Sequence, residues 1–463
     1  MNAEVSHPPR TLKRSMRLVG VTLLTLSSIT PATSVFVIVG GVGGVFQQAG
    51  TGALFSMTAM AVVSLLVAYV YAELSSAFPI AGGEYSMVGK TIGPAAGFVT
   101  LTMTALSNML QPAVFSLGAA AYIKDIVPGV DATTVAIVVI ASTTILGVLH
   151  IRTNAWITGI FLALELIALV ILVWLGFTHV SQPLSELIHP VMLSGNALRP
   201  TPLAMIGLSS ASAIFAYQGY GSAIYFAEEM HEAPRLVART VMLTLVLAVV
   251  TEIIPVTAVL MGAPDMKALL GAESPFSYFV ATMGGRWLSI AVSLSIAIAI
   301  FNAVLATVMQ NGRFFFSTGR DETWYGSIND AFTRTHPTFN SPWIATLASG
   351  ATAIAACFIG MERLLVLTGT GIVVVYAMLC ISAVVGRVRG VSDHAVYRMP
   401  LFPLVPVLGF IALCFVLYTS WLDPSNGLPS VLANAAVVVL SLLYYRFVLA
   451  RRSAWVLRGP ADM

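Results

Sequence analysis

The chain has 463 residues, of which 57% are hydrophobic and only 9% charged, and its mean hydropathy is +0.89. Ordinary soluble domains carry roughly 25% charged residues, so that class is excluded. The net charge of +3 does not point to nucleic acid, since membrane topology accounts for where the basic residues lie.

A helix needs about 20 apolar residues to cross a bilayer. Runs of that kind cover 18–45, 51–78, 94–123, 133–150, 154–178, 203–228, 238–262, 287–312, 343–360, 364–386, 401–421 and 430–450. The expected fold is therefore all-α and polytopic, with twelve transmembrane helices. With the N-terminus on the cytoplasmic side, 18 of the 23 Lys and Arg residues fall in loops or tails on that face and 5 on the other. The positive-inside rule then places both termini in the cytoplasm. The first apolar run is too long for a signal-peptide core and lacks a small-residue cleavage site, so it stays attached.

In chain order, a basic tail over 1–17 precedes the first run. The middle of that run reads Ser27-Ser28-Ile29-Thr30-Pro31-Ala32-Thr33-Ser34, and Gly40, Gly41, Gly43 and Gly44 follow. Pro31 has no N–H to donate and crowds the preceding turn, while the nearby hydroxyls can bond to the released backbone groups. Two readings fit this segment. One is a discontinuous helix that forms half of a binding site; the other is a Pro kink with a small-residue packing face.

The second run ends in Glu73-Leu74-Ser75-Ser76-Ala77-Phe78-Pro79-Ile80-Ala81-Gly82-Gly83-Glu84-Tyr85, and Gly93-Pro94-Ala95-Ala96-Gly97-Phe98 opens the third. The sixth contains Phe215-Ala216-Tyr217-Gln218-Gly219-Tyr220-Gly221-Ser222-Ala223, then Glu228-Glu229 and Pro234-Arg235. Gln310-Asn311-Gly312-Arg313, Gly319-Arg320-Asp321, His336-Pro337 and Ser341-Pro342 follow, and Tyr397-Arg398-Met399-Pro400-Leu401-Phe402-Pro403 leads into the eleventh run. Motif for motif and in this order, the chain resembles the amino acid-polyamine-organocation (APC) permeases.

That resemblance implies two five-helix repeats of opposite orientation, with the first helix of each unwound at mid-membrane. The expected organisation is a tail over 1–17, a first repeat over 18–178, an external loop over 179–202, a second repeat over 203–386, peripheral helices over 387–450 and a tail over 451–463. The solute site would lie at the two breaks. Ile29, Thr30, Ala32, Thr33 and Ser34 form the first, and Phe215, Tyr217, Gln218, Gly219 and Tyr220 form the second. Small residues at the first break would leave N–H groups free for a carboxylate, at the positive end of a half-helix, and carbonyls of the second would take an amine. Ala32-Thr33-Ser34 replaces the family's Gly-x-Gly, and the Thr-Pro-x-Thr run resembles the polyamine importers. Gly221 replaces an acid common in the family.

Phe215 stands where the family places an aromatic gate, against the alternative of plain packing. Gln111, beside Pro112, reaches either the pocket or a neighbouring helix. Glu165 lies among apolar residues in the fifth run and needs a cavity, a partner or a proton. It is the candidate proton carrier, with Glu252 as its rival; Glu73, Glu228 and Glu229 sit near the cytoplasmic ends as solvated or gate residues. Cys357, Cys380 and Cys414 lie within apolar runs and imply neither disulfide nor metal site.

The expectation is a secondary active transporter in the inner membrane, moving an amino acid or amine by proton-coupled alternating access. It needs no cofactor, and its partners are the solute, protons and the lipid bilayer. A putrescine-like polyamine importer, an exchanger and a non-transporting nutrient sensor on the same fold are the alternatives. The seven histidines show no metal-ligand spacing within a run and no nucleophile motif appears, so an enzyme is not expected.

Overall fold

The computed structural model describes residues 16–124, 129–149, 151–452, 455 and 457. Residues 1–15 of the expected N-terminal tail, and all of 453–463 except 455 and 457, lie outside the described residues. The major helices are α1 (Leu18–Ile29), α2 (Ala53–Ala77), α3 (Glu84–Thr91), α4 (Pro94–Lys124), α5 (Ala132–Gly147), α6 (Ile151–Thr178), α7 (Ser210–Ala216), α8 (Ala233–Gly262), α9 (Pro275–Arg320), α10 (Trp343–Ala356), α11 (Met361–Val388), α12 (Leu404–Trp421) and α13 (Gly427–Tyr444). Among the described residues, eight helical segments are long and apolar enough to cross a membrane.

The first segment is interrupted where its sequence weakens it. α1 stops at Ile29, Thr30 turns left-handed (φ 50°, ψ 76°), and Pro31 opens a new turn through Thr33. From Ser34 to Val39 the chain winds as a π-helix, whose wide turns loosen the usual ladder. One carbonyl in this stretch, that of Phe36, accepts the Tyr122 hydroxyl at 2.6 Å. The sixth apolar run is likewise divided. α7 ends at Ala216, Gly219 adopts φ 120°, and Tyr220–Glu229 continues as a 3-10 helix.

α9 extends well beyond the apolar run at 287–312, from Pro275 to Arg320, with a kink at Gly285 (φ 78°). It outlasts that run because its polar residues find partners. Asn311 Nδ2 donates to the Asn108 carbonyl at 2.7 Å and Arg313 pairs with Glu229 at 2.5 Å. A further departure lies in 179–202, where Val191–Ser194 and Ala197–Pro200 form an antiparallel hairpin with Val191 opposite Pro200. Four-residue strands are too short to carry a legible alternation. The Val191 N–H donates to Thr51 Oγ1 at 2.8 Å and ties the hairpin to the start of α2.

α1 is enclosed by α6, α8, α9 and the 3-10 segment. At the edge, α12 packs on α2 and α11, and α13 packs on α4 and α11. Leu432, Val439, Leu440 and Leu443 of α13 project outward, as expected where hydrocarbon covers a helix.

Where lipid is as apolar as leucine, helices associate through close packing of small residues. α6 and α8 cross in this way. A Cβ on Gly176 would fall 2.2 Å from the Ala258 carbonyl oxygen, and one on Gly262 would fall 2.7 Å from Gly176 Cα. Gly176→Val should therefore cost about 1–3 kcal/mol of overpacking, read as a lower unfolding temperature in detergent. An unchanged temperature would show that the crossing relaxes freely.

Candidate functional site

The two breaks meet in space. A Cβ on Gly219 would lie 3.0 Å from Ile29 N and 3.1 Å from Ile29 Cα, so glycine is required there for both its φ and the closeness of the opposing backbone. The Ser34 hydroxyl donates to the Ala216 carbonyl at 2.8 Å, with the Ile29 carbonyl at 3.2 Å. One side chain thus bridges the broken end of α7 and the broken end of α1.

Glu165, on α6, is fully buried and its Oε1 accepts the Ala32 N–H at 2.9 Å. Asn302 of α9 faces the same carboxyl. Glu252, on α8 and also fully buried, faces Ser34 and lies within electrostatic range of Glu165. The acids weighed as rivals from sequence therefore converge on one backbone break. The hydroxyls of Thr30 and Thr33 are buried there without a hydrogen-bond partner among the described residues.

Phe215 is buried and stacks on Phe115 of α4, with centroids 6.1 Å apart and planes at 15°. Gln111 precedes Phe115 by four residues and so shares its helix face; its Oε1 is buried without a partner among the described residues. Tyr217 comes within electrostatic range of Glu252. Tyr220 belongs to a different group, packing against Tyr71 at 5.7 Å and Tyr376 at 6.0 Å. Gln218 and Gly219 line a cavity of about 30 Å³ with Gly221, Ser222, Tyr71 and Glu84.

Two residues here went unassigned in the sequence. Glu84 stood within the Ala-Gly-Gly-acid-Tyr motif without a role, although it accepts the hydroxyls of both Tyr71 and Tyr225 at 2.5 Å. Asn302 had a readable signal, a lone amide between Phe301 and Ala303 in an apolar run.

On the face that carries Met16, ion pairs with buried carboxylates join the chain. Glu73 accepts Arg387 Nε at 2.6 Å, Arg387 Nη2 at 2.5 Å and the Met399 N–H at 2.8 Å. Glu228 accepts Arg320 Nη1 at 2.8 Å on each oxygen and the Ala81 N–H at 3.0 Å. Glu229 takes Arg313 Nε at 2.5 Å. Met16 is laid beside Met230, its N–H donating to the Glu229 carbonyl at 2.9 Å. The opposite face instead holds cavities of about 540 Å³, beside Gln47 and Glu273, and about 380 Å³, beside Gln48 and Glu362.

Over 431 residues the chain is 22% identical to a branched-chain amino acid permease of Bacillus subtilis (strain 168), covering 88% of each protein. A methylthioribose transporter of the same organism is 23% identical over 86% of this chain and 87% of its own. A chloroplastic cationic amino acid transporter of Arabidopsis thaliana is 22% identical over 85% of this chain and 69% of its own. These are membrane transporters, not enzymes, and they are named for three different solutes. The amino acid permease family model matches residues 17–443. The chain, a multi-pass membrane protein, thus belongs to the amino acid permease family of the APC superfamily.

Proposed function

We propose that this permease is a proton-coupled secondary transporter of an amino acid or related amine, working by alternating access in the cytoplasmic membrane with both termini inside. The observation that carries the reading is the junction of the two broken segments, with a buried carboxylate on a freed N–H of the first. Broken helices meeting away from the chain ends are how inverted-repeat transporters build solute sites. Taken that way, the twelve apolar runs group as 18–178 and 203–386, each opened by its broken segment, with 387–450 peripheral.

Ile29 to Ser34 and Phe215 to Tyr220 would then hold the polar ends of the solute, with Phe215 as its lid and Gln111 beside it. The buried pairs of Glu228 and Glu229 would close the cytoplasmic side. Glu165 holds the Ala32 N–H that the solute carboxylate would need, so proton uptake by Glu165 weakens its claim on that group and couples proton to solute. Ser34 uses its one proton on a carbonyl and offers Glu252 only lone pairs, which a protonated Glu252 would satisfy. This supports a shared proton store at the break.

The reading is tested by uptake into proteoliposomes of labelled branched-chain and cationic amino acids and of putrescine. Saturable accumulation of at least one amino acid is expected. Putrescine accumulation alone would select the polyamine alternative, and binding without flux would select a sensor.

Any side chain at position 219 meets the backbone of Ile29 and must also tolerate φ 120°. Gly219→Val should insert into the membrane yet bind solute at least tenfold more weakly, a fall of about 1.4 kcal/mol or more, measured by equilibrium binding. Full affinity in a well-folded variant would place the solute elsewhere.

Glutamine at 165 keeps an acceptor for the Ala32 N–H but cannot titrate. Glu165→Gln should retain solute binding and lose accumulation driven by an inward proton gradient. If it still concentrates solute as the parent does, the proton resides on Glu252 or elsewhere.

A further inference from the structure

The cavity of about 30 Å³ beside Gly219 holds a chemistry that the solute reading leaves unused. Its charged side chain is Glu84, 6% exposed, and each carboxylate oxygen accepts one tyrosine hydroxyl. Neutral hydroxyls reduce a buried negative charge but do not cancel it, and buried carboxylates are normally paired. Among the described residues, no Lys, Arg or His forms an ion pair with Glu84; Arg313, Arg320 and Arg387 on this face are paired with Glu229, Glu228 and Glu73.

The remaining wall is rich in oxygen. Thr104 Oγ1, Ser222 Oγ and Gln310 Oε1 line the cavity on side chains at most 4% exposed, and each lacks a hydrogen-bond partner among the described residues. Gln218 Oε1, on a half-buried side chain, is likewise unpartnered among the described residues. With Ser107 Oγ, five uncommitted oxygens share this wall with the carboxylate and with one uncommitted donor, Asn108 Nδ2; oxygens in that number can act together as acceptors for a cation. Gly221 makes the space, because a Cβ there would sit 2.7 Å from the Tyr71 ring. The family resemblance puts an acid at that position, and in this fold Glu84 brings a carboxylate to the same wall from α3.

Charge and size narrow the ligand. One carboxylate cannot neutralise a divalent ion, which ordinarily draws on several. A volume of about 30 Å³ admits only a small guest of one or a few heavy atoms. We infer that the Glu84 cavity is a binding site for a compact monovalent cation, either an alkali ion or the ammonium end of an amine. The alkali form stands independently of the solute assignment, whereas the ammonium form rests on it.

The test follows the unfolding temperature of the purified full-length protein in detergent. N-methylglucamine chloride is replaced, at constant pH and ionic strength, by sodium, potassium or methylammonium chloride. A ligand selective for the folded state raises that temperature, and a rise of about 2 °C or more is expected from at least one of these salts. A response to sodium or potassium assigns an alkali ion, and one confined to methylammonium assigns the amine. Glu84→Gln should abolish the rise. Should that variant fail to fold, Gly221→Ala, which narrows the cavity without removing charge, and Gln310→Ala should each reduce it. Absence of any cation-dependent rise in the parent, or a rise undiminished in the variants that fold, overturns the site. Uptake of labelled solute is measured separately, so the site can fail while the transport reading stands.

Discussion

The bond from the Ala32 N–H to Glu165 is the contact on which the centre of this protein depends. A backbone that leaves the helix inside an apolar slab exposes donors and acceptors that water cannot reach, each costing several kcal/mol if unmet. Pro31 and Thr30 create that condition, and its resolution comes from elsewhere in the chain. Glu165 takes one N–H, Ser34 takes the Ala216 carbonyl and Tyr122 takes the Phe36 carbonyl. Because these partners sit on α6, α4 and the sixth segment, satisfying the break also fixes those elements around it. The polar groups that make the first segment a poor helix thereby assemble the bundle.

Charge in the bundle obeys two regimes. On the Met16 face, carboxylates meet guanidiniums in tight pairs, and these tie the end of α9 to the 3-10 segment and the end of α11 to that of α2. Breaking such a pair strands a buried charge, which is costly, whereas separating both partners into water is not. That asymmetry suits a closure made and released as a unit. Deeper in, Glu165 meets an N–H group, Glu84 meets hydroxyls, and among the described residues neither they nor Glu252 pairs with a cation. Carboxyls without a fixed counter-charge can respond to a proton or a cation, while the face pairs are already neutralised.

How much of this was legible varies with the physics involved. The break at Thr30 and Pro31 was readable because proline acts locally, through its missing donor and its clash. The break at Gly219 was legible only through the family resemblance, since the residues from Tyr217 to Tyr220 carry no local signal as strong as a proline. Glu165 was conspicuous as a charge in an apolar run. Its partner was not, since nothing near Glu165 in sequence points to Ala32, 133 residues away. Gly221 looked like a lost acid until the fold brought Glu84 to the same wall.

Apolar run length, proline placement and isolated charges determined the class of this protein, most of its helices and the break at Pro31, because these are consequences of each segment meeting hydrocarbon alone, while the break at Gly219 came from the family resemblance. The tertiary structure decided which groups repair the failures, that Glu165 and Glu252 share one break, and that Glu84 closes an oxygen-lined cavity. It also decided that α9 outlasts its apolar run and that a hairpin braces the opposite face. Those outcomes depend on pairing across distant segments, where one hydrogen bond or one missing Cβ selects the partner, and such selection leaves no periodic trace along the chain.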